Sequence, residues 1–207
     1  IAPIPLLKTF PIITNRTMEL IFGTHNQNKV IEINSLLPSK YQVKSLNELG
    51  YDAEIDETGT TLEENALIKV RTIYKTYKKN SFADDSGLEV AALDGAPGVY
   101  SARYAGFEKN AQKNMDKLLG ELEGSKNRKA QFRTVIALIF NGKEILFEGI
   151  VKGEIALQPA GAEGFGYDPI FVPENNTRTF AQMSLSEKNR ISHRSRAFEK
   201  LIEFLKS

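Results

Sequence analysis

The chain contains no cysteine, which rules out disulfides and thiolate zinc sites together and suits a reducing compartment such as the cytoplasm. It also lacks an excess of either charge: 27 Lys and Arg stand against 26 Asp and Glu, a formal net charge of +1. Near balance argues against a protein that coats nucleic acid, whose basic face leaves a surplus. No apolar run approaches the roughly 20 residues needed to span a bilayer. Neither nucleic acid nor a membrane is therefore an expected partner. Internal repeats and low-complexity segments are absent as well.

Residues 1–17 differ from the rest. Pro3, Pro5 and Pro11 break any helix there, and no basic region precedes an uninterrupted apolar core, as a secretory signal requires. The segment is expected to lie outside the fold, as an upstream extension or an expression remnant, with Met18 the natural start. Residues 18–207, about 190 residues, fit a single domain able to bury a substantial core.

What is present centres on Ala83-Asp84-Asp85-Ser86-Gly87-Leu88. Two acids are expected to close a short strand, Ser81–Ala83, with Ser86 and Gly87 turning the chain into a second apolar run from Leu88 to Leu93. Successive strand residues face opposite ways, so only one acid is expected to serve a given site. A carboxylate there suits a hard cation such as Mg²⁺, which takes one or two carboxylates plus substrate phosphates; the same residues also suit a plain polar turn.

Upstream, Glu19–Thr24 has strand length, and Val30, Ile33, Leu36 and Leu37 recur at helical spacing. The strand, polar turn and helix start between them make a phosphate site, or a surface turn capped by Asn26 or Asn28. Lys29 adds a cation, but Asn28 and Val30 flank it where a Walker loop needs Gly and Ser/Thr. Tyr41–Leu46 predicts a second strand and 52–59 an acidic loop. Thr61 and Glu64 form a capping box opening a helix, with Leu62, Ala66, Ile68 or Lys69, and Ile73 facing inward. Lys69 either is solvated, the default for a helical lysine, or reaches a bound anion.

Residues 108–123 predict an amphipathic surface helix. Asn141-Gly142 predicts a hairpin between strands 131–140 and 143–152; the first is apolar on both faces and is expected to lie centrally, covered by helices or a second subunit. Gly161, Gly164 and Gly166 surround Phe165, Tyr167 and Asp168, a loop that can approach a flat ligand or plug the core. Ser192-His193-Arg194 lies where two helical segments meet, with donors for an oxyanion or a heteroaromatic edge.

Thr24-x-Asn26-x-x-Lys29, Ala83–Leu88, Gly95-Ala96-Pro97-Gly98-x-Tyr100-Ser101-Ala102-Arg103-Tyr104, Phe165-Gly166-Tyr167-Asp168-Pro169 and Ser192-His193-Arg194 occur in one order. In these five motifs the chain from Met18 to its end resembles the inosine/xanthosine triphosphate pyrophosphatase family. The resemblance implies hydrolysis of deaminated purine nucleotides (ITP, dITP, XTP) to the monophosphate and pyrophosphate. It implies an elongated, two-lobed α/β fold with a mixed, strongly twisted sheet, helices around it and a cleft between the lobes, assembled as a homodimer. By motif match, Thr24, His25, Asn26, Gln27, Asn28 and Lys29 would cradle the triphosphate, with Lys69 as a second cation and Arg103 as a further phosphate contact. Glu57 and Asp85 would hold Mg²⁺, with Mn²⁺ the alternative, and Asp85 would also be the proton acceptor. Ser86 would touch substrate. Phe165, Gly166, Tyr167, Asp168, Lys188, His193 and Arg194 would form the base and sugar pocket. Rival readings are the same reaction on another modified triphosphate, and a nucleotide sensor that does not hydrolyse.

Overall fold

The structure, a computed structural model, describes residues 17–206. Apart from Thr17, the expected N-terminal extension lies outside the described residues. In chain order the elements are β1 (Met18–Phe22), α1 (Gln27–Asn34), β2 (Tyr41–Ser45), α2 (Leu62–Tyr77), β3 (Ser81–Val90), α3 (Ala111–Glu121), β4 (Lys129–Phe140), β5 (Lys143–Ile155), β6 (Phe171–Pro173), α4 (Leu185–Asn189) and α5 (His193–Lys206), with short 3₁₀ turns between some of them. The strands form one mixed, strongly twisted sheet in the order β2-β1-β3-β4-β5-β6. β1 runs parallel to both β2 and β3, and the remaining pairs are antiparallel.

Local chemistry accounts for most of these elements. Leu20, Ile21 and Phe22 are all buried, as a parallel strand covered on both faces requires. Thr61 and Glu64 form the expected capping box of α2. Asn141 and Gly142 both have positive φ, 51° and 78°, the backbone that a two-residue hairpin with the right twist needs. β4 is central, and helices cover it: Val135, Ala137 and Ile139 pack in one core with Leu62, Ala66 and Val70 of α2. Ile136 and Leu138 pack on its other face with Ala197, Phe198 and Leu201 of α5. A separate core joins Leu88, Val90, Met115, Leu118, Phe132, Phe171 and Phe180 in the second lobe.

The centre of the chain differs from its expected form. Asp84, Asp85, Ser86 and Gly87 do not end a strand or turn it; they are interior to the ten-residue β3. β4 pairs with β3 along its whole length, from Ser81↔Ile139 to Val90↔Ala130, so the strand runs on through the polar residues without a turn. Gly87 serves close approach instead, since a Cβ there would lie 2.5 Å from the carbonyl oxygen of Gly98. The strand that does end here is β1: it pairs with β3 only at Ile21↔Ser81 and Phe22↔Phe82 and then leaves for α1.

In the order β2-β1-β3 the chain crosses first to one side of β1 and then to the other, so the switch point of the sheet lies between β1 and β3. Such points open a crevice beyond the carboxyl ends of the strands. Among the described residues no helix is long and apolar enough to cross a membrane.

The seat of α5 on β5 depends on Gly149, where an added Cβ would meet the backbone of His193 and lie 2.5 Å from the amide nitrogen of Ala197. Gly149→Ala is expected to cost about 1–3 kcal/mol by overpacking, read as a lower urea midpoint at unchanged slope. Unchanged stability would contradict this seating.

Candidate active site

The switch point opens into a cleft of about 800 Å³ between the two lobes. Of the metal- and substrate-binding residues that the resemblance implies, all but Gln27 and Asn28 line it. Those two form the exposed first turn of α1.

Alternation along β3 sends its two acids to opposite faces of the sheet. Asp84 meets α1 and α5. Lys29 Nζ lies 3.0 and 2.9 Å from its two oxygens, and Arg194 Nε lies 3.5 Å from Oδ2. Ser86 Oγ donates to the same Oδ2 at 3.1 Å and shares a 2.7 Å hydrogen bond with Thr134. Burial alone would raise the Asp84 pKa. The charges of Lys29 and Arg194 outweigh burial and hold it well below the usual carboxylate range.

Arg194 is anchored further by Glu32, whose other oxygen accepts from Lys188 at 2.8 Å. Lys188 also donates to Asp168 at 2.8 Å, and Asp168 accepts from the amide of Phe165 at 2.8 Å. Burial is the largest effect on Asp168 and raises its pKa.

Asp85 faces α2. Lys69 Nζ donates to Oδ1 at 3.2 Å and Asn65 Nδ2 donates to Oδ2 at 3.2 Å. The same two side chains reach the acidic loop: Lys69 donates to Glu57 at 2.6 Å, and Asn65 accepts from the amide of Gly59 at 2.8 Å. One turn apart on α2, they thus bridge loop and strand twice. Lys69 is 8% exposed and doubly ion-paired, so of its two expected placements the solvated one does not hold. Arg103 Nη1 stands 3.6 Å from Glu57. Burial, reinforced by the charge of Glu57 and opposed by Lys69, raises the Asp85 pKa. Glu57 is also raised by burial, but the charge and hydrogen bond of Lys69 bring its pKa below the ordinary value.

The turn after β1 is largely self-satisfied. Asn26, the N-cap of α1, accepts from the amides of Asn28 and Lys29, and Thr24 Oγ1 accepts from the amide of Asn26 at 3.1 Å. His25 fastens this turn to the next loop, with Nδ1 2.8 Å from Asn47 Oδ1 and Nε2 3.1 Å from the carbonyl of Ala53.

The glycine-rich loop divides its aromatic roles. Tyr167 is buried in the second core with its hydroxyl on the carbonyl of Ser101 at 2.9 Å, so it plugs. Half-buried Phe165 lines the cleft, with Lys188 and Arg194 over its ring. His193 stacks on Phe132 at 4.6 Å, and its Nδ1 is buried without a hydrogen-bond partner. Burial, then the charges of Arg194 and Lys188, push its pKa well below the usual value, so the ring is neutral.

Sequence reasoning missed Glu32 and Asn65. Both are buried polar residues on helix faces shared with apolar neighbours, Val30 and Ile33 in one case and Leu62 and Ala66 in the other. A polar residue at an inward helical position was the available signal.

The class this defines is an α/β protein with a charged ligand cleft at a topological switch point. The chain belongs to the Ham1 family, whose model matches residues 20–204. Among relatives, a protein of Flavobacterium psychrophilum named dITP/XTP pyrophosphatase is 51% identical over 190 residues, covering 92% of this chain and 100% of that one. A Bacillus subtilis (strain 168) protein of the same name is 48% identical over 193 residues, covering 91% and 98%. Two solved structures are similar throughout. The Staphylococcus aureus Ham1 protein has a TM-score of 0.83 at 43% identity, and a HAM1 protein from Coxiella burnetii 0.84 at 40%; each comparison covers 91% of this chain and 98% of the other.

Because the Asp84 pKa is depressed on folding, its contribution to stability is complete above the unfolded value, about 3.9, and is lost as pH falls through the folded value. Asp84→Asn is therefore expected to cost several kcal/mol at pH 7 by leaving Lys29 and Arg194 short of a partner. The gap from wild type should narrow below about pH 4. A gap independent of pH in urea titrations would contradict the ionised state assigned to Asp84.

Proposed function

We propose that the chain hydrolyses deaminated purine nucleoside triphosphates, ITP, dITP and XTP, to the nucleoside monophosphate and pyrophosphate, and so keeps these bases from incorporation into nucleic acid. The observation that carries the reading is the convergence of Glu57 and Asp85 on one cation position in a cleft lined by further cations. Relatives about half identical to the chain bear the name dITP/XTP pyrophosphatase.

The donor set fits a hard divalent ion. Two carboxylates lie 2.6 and 3.2 Å from a single ammonium, and a carboxylate pair completed by substrate phosphates is the usual Mg²⁺ arrangement. Glu57 and Asp85 would hold Mg²⁺ or Mn²⁺, and the ion when bound supplies phosphoryl polarisation and a more acidic water.

Lys29, Lys69 and Arg103 face the triphosphate and offset its charge. The oxygen of a water attacks the α-phosphorus, the bond to the bridging oxygen breaks, and pyrophosphate leaves with that electron pair. Asp85 takes the water's proton. Burial and the charge of Glu57 raise its pKa, which favours proton acceptance.

Base choice belongs to the other face of β3. Arg194 Nε and Nη2 reach Asp84 and Ser86 only at 3.5 and 3.4 Å, at the limit of hydrogen bonding. These donors suit the six-keto oxygen of hypoxanthine or xanthine, and adenine would present its amino group to them. Unmatched donors of this kind can discriminate by up to about 10⁴. Assembly as a homodimer and action in the cytoplasm complete the reading.

The test is pyrophosphate release from dITP with Mg²⁺ present. Asp85→Asn is expected to lower kcat by about 10²–10⁴, and EDTA to abolish release from the wild type. Full activity in Asp85→Asn would remove its role as proton acceptor, and nucleotide binding with no hydrolysis would favour a sensor.

A further inference from the structure

Every cationic side chain that the cleft walls bury against an acid has a defined partner, but Lys69 differs from the others in position. Its ammonium lies between Glu57 Oε1 and Asp85 Oδ1, at 2.6 and 3.2 Å, the two groups proposed above to hold the metal. We propose that Lys69 is a built-in placeholder cation. In the substrate-free protein it occupies the position of the divalent ion, and it yields that position when nucleotide phosphates offer its ammonium another partner. This rests on the metal reading above.

Three observations carry it. First, Glu57 and Asp85 are drawn together in the cleft, where two carboxylates without a cation repel each other and lose solvation; Lys69 supplies that cation. Second, Lys69 is anchored on the capped helix α2 while its side chain lines the cleft, so the four-carbon stem can swing the ammonium toward a polyanion without moving the backbone. Third, Asn65, one turn earlier, independently holds Asp85 Oδ2 and the amide of Gly59. The acidic loop and β3 therefore keep their spacing after Lys69 leaves.

The consequence is an order of loading. A divalent ion alone must displace a paired lysine, whereas an ion arriving with a nucleotide brings the phosphates that accept it. The probe is Mn²⁺, followed by electron paramagnetic resonance on the whole chain without nucleotide. Lys69→Met is expected to bind Mn²⁺ on the order of tenfold more tightly than the wild type, because a positive charge is removed from the site. Lys69→Arg should stay weak. Lys69→Gln serves in place of Lys69→Met if circular dichroism shows that Lys69→Met has not folded.

Equal Mn²⁺ affinity in the wild type and Lys69→Met, lost from both on Asp85→Asn, would overturn the placeholder while leaving the metal site intact. Mn²⁺ binding to Lys69→Met that survives the further changes Glu57→Gln and Asp85→Asn in the absence of α,β-methylene inosine triphosphate, which itself chelates the ion, would instead remove the metal reading. In the wild type, the ammonium signal of Lys69 in ¹⁵N-lysine NMR should move when Mg²⁺ and that analogue are added together and stay in place with Mg²⁺ alone. Movement with Mg²⁺ alone would overturn the order of loading.

Discussion

Adjacent aspartates in the interior of a β-strand face opposite sides of the sheet, and each must find a cation on its own side or lose its charge. Asp84 finds Lys29 and Arg194, and Asp85 finds Lys69. The helices that deliver these cations, α1 and α5 on one face and α2 on the other, are the helices whose apolar stripes build the two cores flanking β4. Lys29, Lys69, Arg103, Lys188 and Arg194 balance Glu32, Glu57, Asp84, Asp85 and Asp168, five charges against five. Apolar residues of equal volume would often stabilise as well as or better than such buried pairs, yet removing one partner costs about 3–5 kcal/mol. A network of this kind holds a charged cleft open and shaped, at some expense of stability.

The two faces of β3 also divide the proposed work. On the α2 face, Asp85, Glu57 and Lys69 suit the breaking of a phosphoanhydride. On the α1 and α5 face, Arg194, Lys188, Asp168 and neutral His193 suit recognition of a polar heterocycle. Ser86 sits on the recognition face, hydrogen-bonded to Asp84 and Thr134. With no histidine bonded to it among the described residues, it is poorly placed for nucleophilic catalysis.

What was legible in the sequence was set by local chemistry: the capping box of α2, the Asn141-Gly142 hairpin and the doubly apolar β4 all follow from a few neighbouring residues. The stretch Asp84–Gly87 has the composition of a turn, and only pairing with β4, some fifty residues later, keeps it straight. Helical spacing left Lys69 open between solvent and a bound anion, because its partner Asp85 comes from a later strand. Glu32 was invisible for a stronger form of the same reason, since its partners Lys188 and Arg194 lie at the other end of the chain. The site residues themselves were reached through motif resemblance, and the structure gathers them, except Gln27 and Asn28, around one cleft.

The most direct measurement is ³¹P NMR of the products from dITP, XTP, dATP and dGTP, each incubated with the chain and Mg²⁺ under identical conditions. The account predicts monophosphate and pyrophosphate from dITP and XTP, with dATP and dGTP turned over far more slowly. Orthophosphate as the primary product, or equal turnover of all four nucleotides, would contradict it.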